Sequence, residues 1–132
     1  MGILNSIFGS SKKTKEEKQL FINWRPLKSL EQLKEIKAAS KKEPILIFKH
    51  STRCGISSMV IRKFEESFTK EMKDLKVYYL DLLSYREISN EVGYEFQVLH
   101  QSPQLLVIKN GEAVAHASHY GILEIPLISF VK

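Results

Sequence analysis

The chain has 132 residues, 43% apolar and 27% charged, a length and balance that fit one compact domain with a real apolar core. No apolar run approaches the roughly 20 residues that cross a bilayer, and the few apolar residues at the start have no basic region ahead of them and no small-residue cleavage pattern, so a cytoplasmic protein with no membrane contact is expected. The net charge of +5 mildly favours acidic partners, but no aromatic residues are interleaved with the basic ones as a nucleic-acid platform needs.

Residues 1–20 read as an N-terminal extension, flexible or a short helix: an apolar cluster (Ile3, Leu4, Ile7, Phe8) ahead of a Gly, Ser and Lys linker that carries Lys12, Lys13, Lys15 and Lys18. Its first residues, Met1 to Ser6, fit a loose acylation pattern too short to carry weight. The domain proper is expected over 21–132. Ser29 and Gln32 form a capping-box pattern, and Leu30, Leu33 and Ile36 recur behind it at helical spacing, predicting a helix over 29–40. Ile45-Leu46-Ile47-Phe48 is a continuous apolar run of strand length, which predicts a central strand covered on both faces.

Ile56, Val60, Phe64 and Phe68 repeat every four residues and predict a helix from about 54 to 70. Val77 to Leu80 reads as the next strand, and Ser84 with Glu87 offers a capping box for a helix over 85–97, with Gly93 an awkward residue in its middle. Gln104 to Lys109 and Glu112 to His119 are strands joined by Asn110-Gly111, a strong hairpin signal, and a last helix is predicted over 122–131. The sum is an α/β fold, a central mixed sheet flanked by helices, in the element order that thioredoxin-like domains use.

The chain has one cysteine, so no internal disulfide holds it together. Cys54 is either a buried filler or a working thiol. It stands in Ser51-Thr52-Arg53-Cys54-Gly55-Ile56-Ser57, at the junction of a buried strand and a helix, where unpaired N–H groups and the helix dipole favour a thiolate, the nucleophilic form. Arg53, Lys49 and His50 add positive charge there, or else belong to a solvated turn. Ser102-Pro103 precedes a strand, where a missing N–H does no harm; it is a simple breaker or a cis-proline whose loop lies beside the cysteine and presents backbone to an extended partner. A metal site from His50, His100, His116 and His119 is disfavoured, since His116 and His119, three apart on a strand, point to opposite faces.

Four stretches in order carry a family resemblance over about residues 22–125: Phe48-Lys49-His50-Ser51-Thr52-Arg53-Cys54 with Ile56-Ser57, Tyr79-Leu80-Asp81-Leu82, Ser102-Pro103-Gln104, and His116-Ala117-Ser118-His119-Tyr120. In these the chain resembles the YtxJ family of bacillithiol-system redox proteins, the monothiol bacilliredoxins. The resemblance implies a thioredoxin-like fold, Cys54 as nucleophile, Pro103 as the cis-proline, and removal of bacillithiol from protein thiols. Bacillithiolated proteins and a low-molecular-weight thiol would be the partners, with bacillithiol as co-substrate and no bound cofactor or metal. Gly55 departs from the proline many relatives carry, which leaves the strength of thiol activation open.

Ser57 stands where two-thiol enzymes have their resolving cysteine, and a hydroxyl does not attack a mixed disulfide, so Cys54 must hand its adduct to an outside thiol. Ser57 is thereby expected to be dispensable for turnover. Bacillithiol carries carboxylates, so Arg53 and Lys49 are candidate binding groups, together with Thr52, Ser102 and Pro103 from the two loops. Two other readings stand beside this one: an iron-sulfur cluster shared between two chains and two outside thiols, or a redox-silent interaction module.

Overall fold

The structure, a computed structural model, describes residues 20–131. The predicted extension and its acylation pattern therefore lie, but for Leu20, outside the described residues. Five strands form one mixed sheet in the order β1-β3-β2-β4-β5: β1 (Trp24–Pro26), β2 (Ile45–His50), β3 (Lys76–Asp81), β4 (Gln104–Lys109) and β5 (Glu112–Ser118). β1 and β2 run parallel to β3, whereas β4 is antiparallel to both β2 and β5. Among the described residues three α-helices cover the sheet: α1 (Leu30–Ala39), α2 (Gly55–Ser67) and α3 (Arg86–Phe96).

Local chemistry explains most of these elements. Ser29 caps α1 as expected: its Oγ accepts the Gln32 N–H, and Gln32 Oε1 accepts the Ser29 N–H, both at 3.2 Å. β2 is central and every residue of it is buried, which is why its apolar run lacks alternation. Ile45 and Ile47 face a core with α1 and α3, while Leu46 and Phe48 face a second core with Val60 and Phe64 of α2. Asn110 and Gly111 take φ of 54° and 77°, the conformation that a tight hairpin between twisted strands needs. Gly93 is required by a close approach, since a Cβ there would lie 3.0 Å from the Val98 carbonyl oxygen.

One strand adds to the expected elements and three expectations are corrected. β1 is an edge strand of three residues ending in proline, too short to register as a pattern. Ile56 is 41% exposed, so the four-residue repeat of α2 is buried from Val60 onward. α3 does not begin with a Ser84–Glu87 capping box: its N-cap, Tyr85, has no side-chain cap, and Ser84 lies in the preceding turn, where the Asp81 carboxylate accepts the N–H groups of Leu83 and Ser84 and the Ser84 hydroxyl. The last helix is instead two 3₁₀ turns, His119–Glu124 and Leu127–Phe130, separated at Pro126, which cannot continue a helix. Among the described residues no helix is long and apolar enough to cross a membrane.

Candidate active site

Because β2 and β3 are parallel and β4 antiparallel, one end of the sheet collects the C-terminal ends of β2 and β3 and the start of β4. Loops at that end include 51–54 into α2, 82–85 into α3 and 97–103 into β4. Cys54 is the N-cap residue of α2 and is half-buried. Its N–H donates to the Ser51 carbonyl at 3.2 Å, its carbonyl accepts from Ser58 N–H at 3.1 Å, and no side chain caps the helix there. The first-turn N–H groups that capping would normally satisfy are thus left to the sulfur and whatever approaches it. Thr52, Arg53, Gly55 and Ile56 around it are exposed.

The Ser102-Pro103 peptide is cis, as expected. Register places Lys49 opposite Gln104, so Pro103 precedes β4 at the level of the last residue of β2, on the same sheet end as the cysteine loop. The Pro103 carbonyl accepts from His119 N–H at 2.9 Å. Ser102 forms no backbone hydrogen bond among the described residues, and its hydroxyl is buried without a partner, so it offers a neighbour its backbone rather than its side chain.

Neither Lys49 nor His50 lies in a solvated turn; both end β2. Lys49 is 0% exposed, with its ammonium 3.2 Å from Nδ1 of His100, and burial lowers its pKa from 10.5 to about 8. Of the two candidate carboxylate-binding cations, only Arg53 is at the surface.

His50 points to the opposite face, where its Nδ1 lies 2.7 Å from Ser57 Oγ. Burial lowers the His50 pKa from its usual 6.5, against the raising influence of Asp81 and Glu65, so the neutral ring is favoured. Ser57, fully buried, also accepts the Ser51 N–H at 3.1 Å, so its hydroxyl bridges the backbone of the cysteine loop and the His50 ring. Ser57 is therefore more than a missing thiol: it ties the cysteine loop to β2. No spacing rule in the sequence signals this, because the partner is brought near only when α2 folds back over the sheet. Among the described residues no three His, Cys, Asp or Glu side chains converge as a metal site.

Solved structures with this architecture are thioredoxin-like. A protein described only provisionally as an oxidoreductase with a thioredoxin fold is 27% identical over 75% of this chain and 85% of its own, with a TM-score of 0.64. Thioredoxin from Malassezia sympodialis (22% identity, 82% and 90% covered, TM-score 0.66) and thioredoxin from Trypanosoma brucei brucei (18%, 83% and 89%, 0.65) share the fold. These likenesses show a thioredoxin-like fold, and with the family match that follows they support a thiol-redox role. The model of one family, monothiol bacilliredoxin BrxC, matches residues 25–126, a span that holds the cysteine and cis-proline loops and the sheet end between them, and the chain belongs to that family.

Proposed function

We propose that the protein removes bacillithiol from mixed disulfides on protein cysteines through an adduct on Cys54. The observation that carries this reading is a single, half-buried thiol at an uncapped helix start, on the sheet end that also bears a cis-proline loop. The Cys54 thiolate attacks the bacillithiol sulfur of the modified protein; the Cys54–bacillithiol disulfide forms as the old disulfide breaks, and the target leaves as a thiolate that takes up a proton. A second bacillithiol thiolate then attacks the bacillithiol sulfur of the adduct, giving oxidised bacillithiol and free Cys54, or a reductase does the same work. With no second cysteine in the chain, an internal disulfide cannot compete.

The free backbone of Ser102 beside Pro103 suits an extended segment of the target protein, which would add main-chain hydrogen bonds at that edge. Arg53 and Thr52, both exposed, are the side chains within the cysteine loop that would meet the carboxylates and hydroxyls of bacillithiol. Chemistry of this kind belongs to the reducing cytoplasm, where a small thiol is abundant.

The test is intact mass after treatment with oxidised bacillithiol, followed by release of bacillithiol from a modified target protein. One bacillithiol on Cys54, absent in Cys54→Ser, and catalysed release from the target are expected. A protein that forms no adduct, or forms one and releases nothing, refutes the reading. An anaerobically purified sample with visible sulfide-to-iron absorption would favour the iron-sulfur alternative.

A further inference from the structure

Every other residue on the α1 and α3 face of β2 is apolar: Ile45 and Ile47 are buried in that core, and Lys49 continues the same face. A buried ammonium costs more than an apolar side chain of similar volume unless it is well partnered. Lys49 has no carboxylate partner among the described residues, unlike Lys37, which pairs with Glu95, and Lys76, which pairs with Glu43. Its hydrogen-bond partner is His100, in the segment that leads to the cis-proline. Its cross-strand neighbour Gln104 is 2% exposed and donates from Nε2 to the Leu99 carbonyl at 3.0 Å. Residues 99 and 100 are thus gripped by two adjacent side chains on two neighbouring strands.

We propose that Lys49 is a positioning residue: its buried ammonium, acting through His100, holds the Leu99–Pro103 segment against β2 so that Ser102 and Pro103 meet an incoming disulfide in register with Cys54. Together with His50, which secures the cysteine loop through Ser57 on the other face, consecutive residues of β2 then set the two loops of the site independently. The bond needs a charged lysine and a neutral imidazole. Burial, with Lys49 and Arg86 nearby, holds the His100 pKa below its usual 6.5, so Nδ1 remains an acceptor at neutral pH. Lys49 donates to it and cannot accept, which puts the His100 proton on Nε2.

The inference rests on the disulfide-exchange reading, and the test separates the two. In Lys49→Met the melting temperature should hold or rise, because a buried charge is removed. Alkylation of Cys54 by iodoacetamide, which needs only the cysteine loop, should stay within about twofold, while exchange with oxidised bacillithiol or a bacillithiolated protein slows by roughly five- to tenfold. Amide hydrogen exchange over 98–102 should speed up while that over 55–60 does not. His100→Ala should slow disulfide exchange similarly, and the double variant should be no slower than Lys49→Met alone. Unchanged exchange rates and amide protection in folded Lys49→Met would overturn the inference, as would alkylation falling in step with exchange. A wild-type protein inert toward every disulfide would refute the parent reading, and amide protection over 98–102 would still decide whether Lys49 holds the segment.

Discussion

Ser57→Ala removes one oxygen atom from a fully buried side chain in the first turn of α2 and leaves two polar groups behind, the Ser51 N–H and Nδ1 of His50. His50 is 7% exposed and Ser51 is half-buried, so water replaces only part of what is lost. At about 1 kcal/mol for each group, the cost is about 2 kcal/mol. In a domain of this size that lowers the melting temperature by roughly 5–8 °C. The chemistry should suffer less, because the hydroxyl is spent on Ser51 and His50 and no step of exchange at Cys54 uses it. Adduct formation per folded molecule is expected to fall by less than about tenfold, or about 1.4 kcal/mol in barrier. Thermal unfolding followed by circular dichroism, with intact-mass kinetics of adduct formation at a temperature where the variant is folded, measures both. A shift below about 1 °C would show that these hydrogen bonds do not hold the loop. Abolished turnover in a folded variant would mean that the hydroxyl orients the thiolate or the substrate.

Ser57→Cys puts a second sulfur three residues after Cys54 on the same turn, and oxidation should give an internal disulfide, read as a mass loss of two hydrogens where the parent accumulates the bacillithiol adduct; retention of the adduct would refute thioredoxin-like geometry at the loop. Arg53→Ala should slow reaction with oxidised bacillithiol by about two- to fivefold at low salt, and by less at high salt, since an exposed pair is worth under about 1 kcal/mol and is screened; equal rates at both salts would remove Arg53 from the site. The lowered pKa of His50 means that the unfolded chain binds its proton first as pH falls. Its contribution to stability is therefore complete above about pH 6.5 and is lost below it, as the pH falls through the lower folded-state value. Melting temperature should decline from pH 7 to 5, and His50→Gln should flatten that slope; an unchanged slope would show that His50 does not titrate in the fold.

Local signals are enough to read β2 to β5 and the three helices, because each acts within a few residues. The apolar run Ile45 to Phe48, the Ser29 cap and the Asn110-Gly111 turn each act within a few residues, and each appears as expected. Cys54 was legible for the same reason: a strand followed directly by a helix puts the intervening residue at a helix start in any fold. β1 was not, since three residues carry no period and pair only once β3 is beside them. The segment 122–131 forms two 3₁₀ turns rather than the expected helix, because Pro126 interrupts it.

The roles of Lys49, His50 and Ser57 depended on tertiary structure altogether. The bonds from Lys49 to His100 and from His50 to Ser57 span 51 and 7 residues, and alternation along β2 sends the two neighbouring side chains to opposite faces of the sheet. A basic dipeptide after an apolar run reads as the beginning of a solvated turn when only local polarity is available. The sheet continues through it, since β3 and β4 supply ladder partners as far as His50 and Lys49, and burial by both layers turns a nominally exposed charge into a fixed donor.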